Sequence, residues 1–157
     1  MKFHLSLAAA CLLAAAPAFA NSHGAQPAAE PAVEELTVTG DAAAGEKAFR
    51  QCAACHVVVN PAGDILAGKA GKTGPNLYGI AGAPMGAVEG FRYSKLMEAA
   101  NAAGLTWTEE NFAAYIQDPS GYLTSATGES GRSAMTPQRL RKPEDAANLF
   151  AFLHSLQ

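Results

Sequence analysis

Cys52-Ala53-Ala54-Cys55-His56 is the stretch on which the reading of this chain turns. Two thiols three residues apart on one helical turn can each add to a vinyl group of a haem, and the imidazole that follows at once lies under the iron as its proximal ligand. This is the spacing of a c-type haem attachment site. Two other readings of the same residues compete with it. A structural zinc site needs two more soft ligands at matching spacing, and the only other cysteine is Cys11. A thioredoxin-like dithiol leaves His56 without a role.

Cys11 belongs to a segment with a different purpose. The first twenty residues carry Lys2, an apolar stretch from Leu5 to Ala16 and then Ala18-Phe19-Ala20, the pattern of a secretory leader cleaved after Ala20. The apolar stretch is shorter than the ~20 residues a bilayer span requires, which argues against an uncleaved anchor. Ala8-Ala9-Ala10 ahead of Cys11 lacks the leucine of a lipidation signal. Export fits the cysteine chemistry, because a Cys-x-x-Cys pair outside the cytoplasm tends to oxidise unless its thiols are committed to haem. The expected location is therefore the periplasm.

Residues 21–40 are rich in Ala, Pro and Glu with no apolar periodicity, and read as a flexible tail. Residues 41–157 then form one small haem domain, too short to bury a large core from polypeptide alone. This part carries ten basic and eleven acidic side chains. So acidic a chain does not suit nucleic acid. The distribution is more informative than the total. Lys69, Lys72, Arg132, Arg139, Arg141 and Lys142 flank the haem motif and a later methionine, whereas Glu98, Glu109, Glu110 and Asp118 lie between. That arrangement suggests a basic patch on one side.

Four helices are expected. Asp41 caps one that runs through Ala54 with Phe49 on its apolar side, and Gly45 within it marks the close approach of another backbone. The last helix has Pro143 in its first turn and carries Leu149, Phe152, Leu153 and Leu156 on one face, so the two should cross at Gly45, with His154 at the surface. Ser94 to Gly104 forms a third helix that buries Leu96, Met97 and Ala100. Thr106 and Glu109 predict a capping box for the fourth, which bears Phe112, Tyr115 and Ile116 and ends near Asp118 because Pro119 follows. No strand pattern competes. Residues 57–90 and 121–137 read as long loops, which a large flat cofactor would organise.

The other axial position on the iron has three candidates. Met97 is a core residue at helical spacing beside Leu96, and Met85 sits in a glycine-rich loop as packing or surface. Met135 lies in a polar loop between two helices and has no packing role of its own, which makes it the best candidate. A displaceable ligand there would instead make a haem enzyme or gas sensor.

Beyond the haem motif, Lys72-Thr73-Gly74-Pro75-Asn76-Leu77-Tyr78-Gly79, Gly90-Phe91-Arg92-Tyr93, Gly104-Leu105-Thr106-Trp107, Tyr115-Ile116-Gln117-Asp118-Pro119 and Met135 follow in order. Together with Gly-Glu-Lys-Ala-Phe ahead of the motif and the long loops after His56 and before Met135, they resemble the class I cytochromes c. The likeness is greatest to the larger bacterial cytochrome c2 and c550 subgroup, and it covers essentially all of residues 41–157. It implies an all-α fold of helices and long loops wrapped around one haem c, covalent through Cys52 and Cys55, with His56 and Met135 on the iron. Pro75 would offer its carbonyl to the other ring nitrogen of His56. Tyr93 and Trp107 would hydrogen-bond a buried propionate, and Tyr115 would stand near the methionine sulfur. Ala83, Pro137 and Ala134 depart from residues common in relatives: an arginine near the propionates, an aromatic beside the haem edge and a lysine before the methionine. The implied function is a monomeric one-electron carrier, not an enzyme. A quinol-oxidising cytochrome complex is the implied donor, and a terminal oxidase, reductase or photosynthetic reaction centre the acceptor, each met transiently at the membrane surface.

Overall fold

The computed structural model describes residues 36–69, 71 and 73–157. The expected leader, residues 21–35 of the expected tail, and Lys72 lie outside the described residues.

Asp41 takes extended backbone angles and its carboxylate accepts from the N–H groups of Ala43 and Ala44 at 2.7 and 3.0 Å, which starts helix α1 (Ala42–Ala48). The chain then winds more tightly, as a 3₁₀ segment over Phe49–Ala54, where a single helix through Ala54 was expected. The N–H groups of Cys55 and His56 both converge on the Cys52 carbonyl, at 3.1 and 2.9 Å, and close this last turn around the attachment motif.

Helix α5 (Asp145–Ser155) crosses α1 at Gly45 as the sequence requires. A Cβ on Gly45 would fall on the Asn148 carbonyl and 2.7 Å from the Phe152 Cβ, so only glycine admits this crossing. Phe49 and Phe152 meet beside it with ring centroids 5.5 Å apart. α5 is buried on more than the expected stripe: Ala146, Phe150 and Ala151 are inside too, and Phe150 packs on Phe112 at 5.5 Å. His154 is exposed.

Helix α2 (Lys95–Ala102) starts at Ser94, whose hydroxyl accepts from the Met97 N–H, and buries Leu96, Met97 and Ala100. Helix α3 (Glu109–Gln117) is capped by Thr108 and Asn111, not by Thr106 and Glu109. The two expected partners are engaged elsewhere. Thr106 pairs with Pro84 in an antiparallel bridge, and the Glu109 carboxylate accepts from Thr39.

Helix α4 (Pro119–Thr127) replaces part of an expected loop. Asp118 ends α3 and caps α4, its carboxylate accepting from the Gly121 N–H at 3.0 Å, and Pro119 supplies the first turn. A second correction concerns the stretch after His56. β1 (Val57–Val59) and β2 (Ile65–Gly68) form an antiparallel hairpin, with an irregularity between Val58 and Val59. Among the described residues the architecture is all-α with this one small hairpin. Residues 36–40, expected to be part of a flexible tail, pack on the body. Leu36 and Val38 lie against the core, the Thr39 N–H donates to Glu109 at 2.7 Å, and the Asp41 N–H donates to the Asn148 side chain at 2.8 Å.

Candidate haem site

The 3₁₀ segment places Cys52, half-buried, and Cys55, exposed, one turn apart with His56 directly after them. Burial first, and the neighbouring Cys55 second, push the Cys52 thiol up to about 11. The His56 imidazole is held below its ordinary 6.5 by burial, although its bond to the Pro75 carbonyl pulls the other way. A neutral ring has one N–H, and the 3.0 Å contact from Nδ1 to the Pro75 oxygen uses it. That leaves the Nε2 lone pair as the metal-binding electron pair.

The Thr73–Pro75 backbone reaches the ring because residue 74 has no side chain: a Cβ on Gly74 would lie on the imidazole carbons and nitrogens. Asn76 holds this loop in turn. Its Nδ2 donates to the Val59 carbonyl at 2.8 Å, and its Oδ1 accepts from the N–H groups of Val59 and Tyr78 at 2.9 and 3.1 Å. The hairpin missed in the sequence is therefore the fixed edge on which the Pro75 carbonyl is aimed. Val57-Val58-Val59 followed by Asn60-Pro61-Ala62-Gly63 carried the signal, a β-branched run and then a turn.

These groups open onto a cavity of about 570 Å³, the size of a small-molecule site. Cys52, Cys55, His56, Pro75, Tyr93, Trp107, Tyr115 and Met135 all line it, so the eight residues expected around the haem share one cavity. Met97 lines it as well, from within α2, whereas Met85 is fully buried away from it. Ala83 and Ala134 are in the wall and Pro137 is not. Trp107 is positioned by backbone pairing, its N–H donating to Ala83 and its carbonyl accepting from Gly82 at 2.9 and 2.8 Å. Its ring stands edge-on to Tyr115 at 5.0 Å. The Tyr93 hydroxyl accepts from the Val88 N–H at 3.3 Å, and burial raises the pKa values of Tyr93 and Tyr115, keeping both hydroxyls protonated donors. Ser133, which the sequence did not single out, bonds the Tyr115 hydroxyl at 3.4 Å and accepts from the Met135 N–H at 3.2 Å.

The donor set suits haem better than the alternatives. Two thiols, a neutral imidazole with its Nδ1 committed, and a thioether share an otherwise apolar cavity, while among the described residues no three His, Cys, Asp or Glu side chains are grouped closely enough to hold a metal ion by themselves.

No protein-family model matches the chain. Individual relatives do. Cytochrome c2 of Rhodovulum adriaticum is 54% identical over 122 residues, 77% of this chain and 96% of that protein. The chain belongs to the cytochrome c2 and c-550 family. Cytochrome c-550 of Paracoccus denitrificans is 43% identical over 117 residues, 73% of each chain. The crystal structure of cytochrome c2 from Rhodobacter sphaeroides superposes with a TM-score of 0.71 at 43% identity, over 75% of this chain and 97% of that one. The fold is thus that of the class I cytochromes c, and the chain is a haem c carrier of electrons, not an enzyme.

Proposed function

We propose that the chain is a periplasmic one-electron shuttle whose haem is bonded to Cys52 and Cys55 and whose iron is held by His56 and Met135. The observation that carries this reading is that all four residues line one and the same cavity. Bound there, the haem supplies a one-electron ferric/ferrous couple. The chain's own groups set the terms of that exchange. The Pro75 carbonyl keeps the His56 ring in one tautomer and raises its basicity. The thioether of Met135 favours the softer ferrous ion, and the apolar wall disfavours the extra charge of the ferric one. Tyr93 and Trp107, both in the cavity wall, supply a hydroxyl and an indole N–H as donors for a propionate. Tyr115 stands beside the Met135 loop through Ser133. Two strong ligands kept in both oxidation states hold reorganisation small.

The leader pattern over residues 1–20 supports export with cleavage after Ala20. No helix among the described residues is long and apolar enough to cross a membrane. As in the family, the donor is a quinol-oxidising cytochrome complex, and the acceptor a terminal oxidase, reductase or photosynthetic reaction centre, docked briefly as a monomer through small, weak contacts.

The test is spectroscopic. The ferric protein should show a weak near-infrared sulfur-to-iron charge-transfer band that Met135→Ala abolishes. A high-spin ferric spectrum, or a band unchanged in Met135→Ala, refutes the assignment of His56 and Met135 as the iron's ligands.

A further inference from the structure

We propose that Ser120 is a positioning residue for Met135, its hydroxyl tying the loop that carries the methionine to the start of α4. The inference rests on the reading of Met135 as an iron ligand. Residues 128–144 join α4 to α5, and Arg132, Ala134, Thr136 and Pro137 are exposed, so apolar burial holds this stretch only at Met135 and Leu140, both partly buried against the core. Hydrogen bonds hold it elsewhere. The Gln138 N–H donates to the Ile116 carbonyl at 2.7 Å, and Ser133 Oγ meets the Tyr115 hydroxyl at 3.4 Å, both tying the loop to α3. The tie to α4 is made by the Ser133 N–H, which donates to Ser120 Oγ at 3.0 Å.

This last bond decides where Met135 sits. Ser133 Oγ accepts from the Met135 N–H at 3.2 Å, so the methionine backbone follows Ser133. Among the described residues Ser133 is otherwise held to α3 and α4 only through its side chain, by a bond to Tyr115 at the long limit of hydrogen bonding. Without the Ser120 acceptor, residue 133 can pivot about that contact and carry Met135 out of the cavity. Ser120 suits the task because it is the second residue of a helix whose start is fixed by the Asp118 cap and by Pro119, which is fully buried. Its hydroxyl reaches across thirteen residues of sequence and does not cap its own helix.

An exogenous ligand reads the opening directly, since its apparent affinity is proportional to the fraction of molecules with Met135 displaced. Imidazole would be titrated into the ferric holoprotein, with Ser120→Ala and Ser120→Thr alongside and the denaturant midpoint measured for each. Ser120→Ala should bind imidazole about fivefold more tightly, the effect of one net hydrogen bond, and Ser120→Thr should restore wild-type affinity. Exchange of the Ser133 amide proton, slow in the wild type, should accelerate in Ser120→Ala and recover in Ser120→Thr. A purely structural serine would lower the denaturant midpoint without moving the imidazole affinity, because global unfolding is too rare in water to admit ligand. Imidazole affinity unchanged in Ser120→Ala therefore overturns the proposal, whatever the midpoint does. The near-infrared band of the wild type separates the two readings: its absence overturns the Met135 assignment and this inference together, and its presence with unchanged affinity overturns this inference alone.

Discussion

His56 enters the fold as a base that burial keeps neutral, and this has a consequence for stability against acid. Its folded pKa lies below the ordinary 6.5. As pH falls through 6.5 the unfolded chain takes up a proton that the fold refuses, so the contribution of His56 is complete above that value and is lost below it. Iron ligation acts in the same direction, because a metal and a proton compete for the one lone pair. The denaturant midpoint of the holoprotein should hold steady from pH 8 to 7 and fall between pH 6.5 and 5, by at most about 1.4 kcal/mol of stability per unit for this group. A midpoint that rises on acidification in that window contradicts the assignment. The residues of the attachment site were legible one by one, since Cys11 is the only other cysteine for a zinc site and a redox dithiol leaves His56 unused. Asn76, Ser120 and Ser133 were not. A polar side chain that bonds backbone far away in sequence, as Asn76 does with Val59, leaves no periodicity and no motif of its own.

Among the elements, the crossing of α1 and α5 was legible because a glycine inside a helix asks for an explanation, and the Asn148 carbonyl supplies it. Gly45→Ala should cost about 3 kcal/mol, as an overpacked contact against backbone that cannot step aside. Thermal melts of the holoprotein should show the loss, and an Ala at exposed Glu46 should show almost none. α4 was hidden for the opposite reason. Pro119 ends α3, and the same proline with Asp118 before it begins a new helix; taken as a stop, it concealed a start. The capping box was misplaced by two residues because Thr106 and Thr108 offer the same hydroxyl, and only the pairing of Thr106 with Pro84 removes the first from contention. The hairpin is three and four residues long, below the length at which alternation can be told from chance.

For the whole molecule, charge is the property that partners meet first. Among the described residues the one ion pair joins Lys142 to Glu144 at 3.8 Å, so the Lys69, Arg132, Arg139 and Arg141 side chains face solvent without a carboxylate. If they steer docking on an acidic face, the second-order rate of electron exchange with a membrane acceptor should fall several-fold, roughly, as ionic strength rises from about 10 to 200 mM. A rate indifferent to salt would remove steering from the account. The amino end has its own part in the behaviour of the body. Before α1 begins, the chain is fastened by Leu36 and Val38 against the core, by Thr39 on Glu109 and by Asp41 on Asn148. A load applied to the chain ahead of Leu36, from a tether or a fused label, must thus break these contacts with the core, α3 and α5 before it reaches α1. The haem turn at the far end of α1 feels that load last, which makes the amino end a sound mechanical attachment point for wiring the protein to a surface.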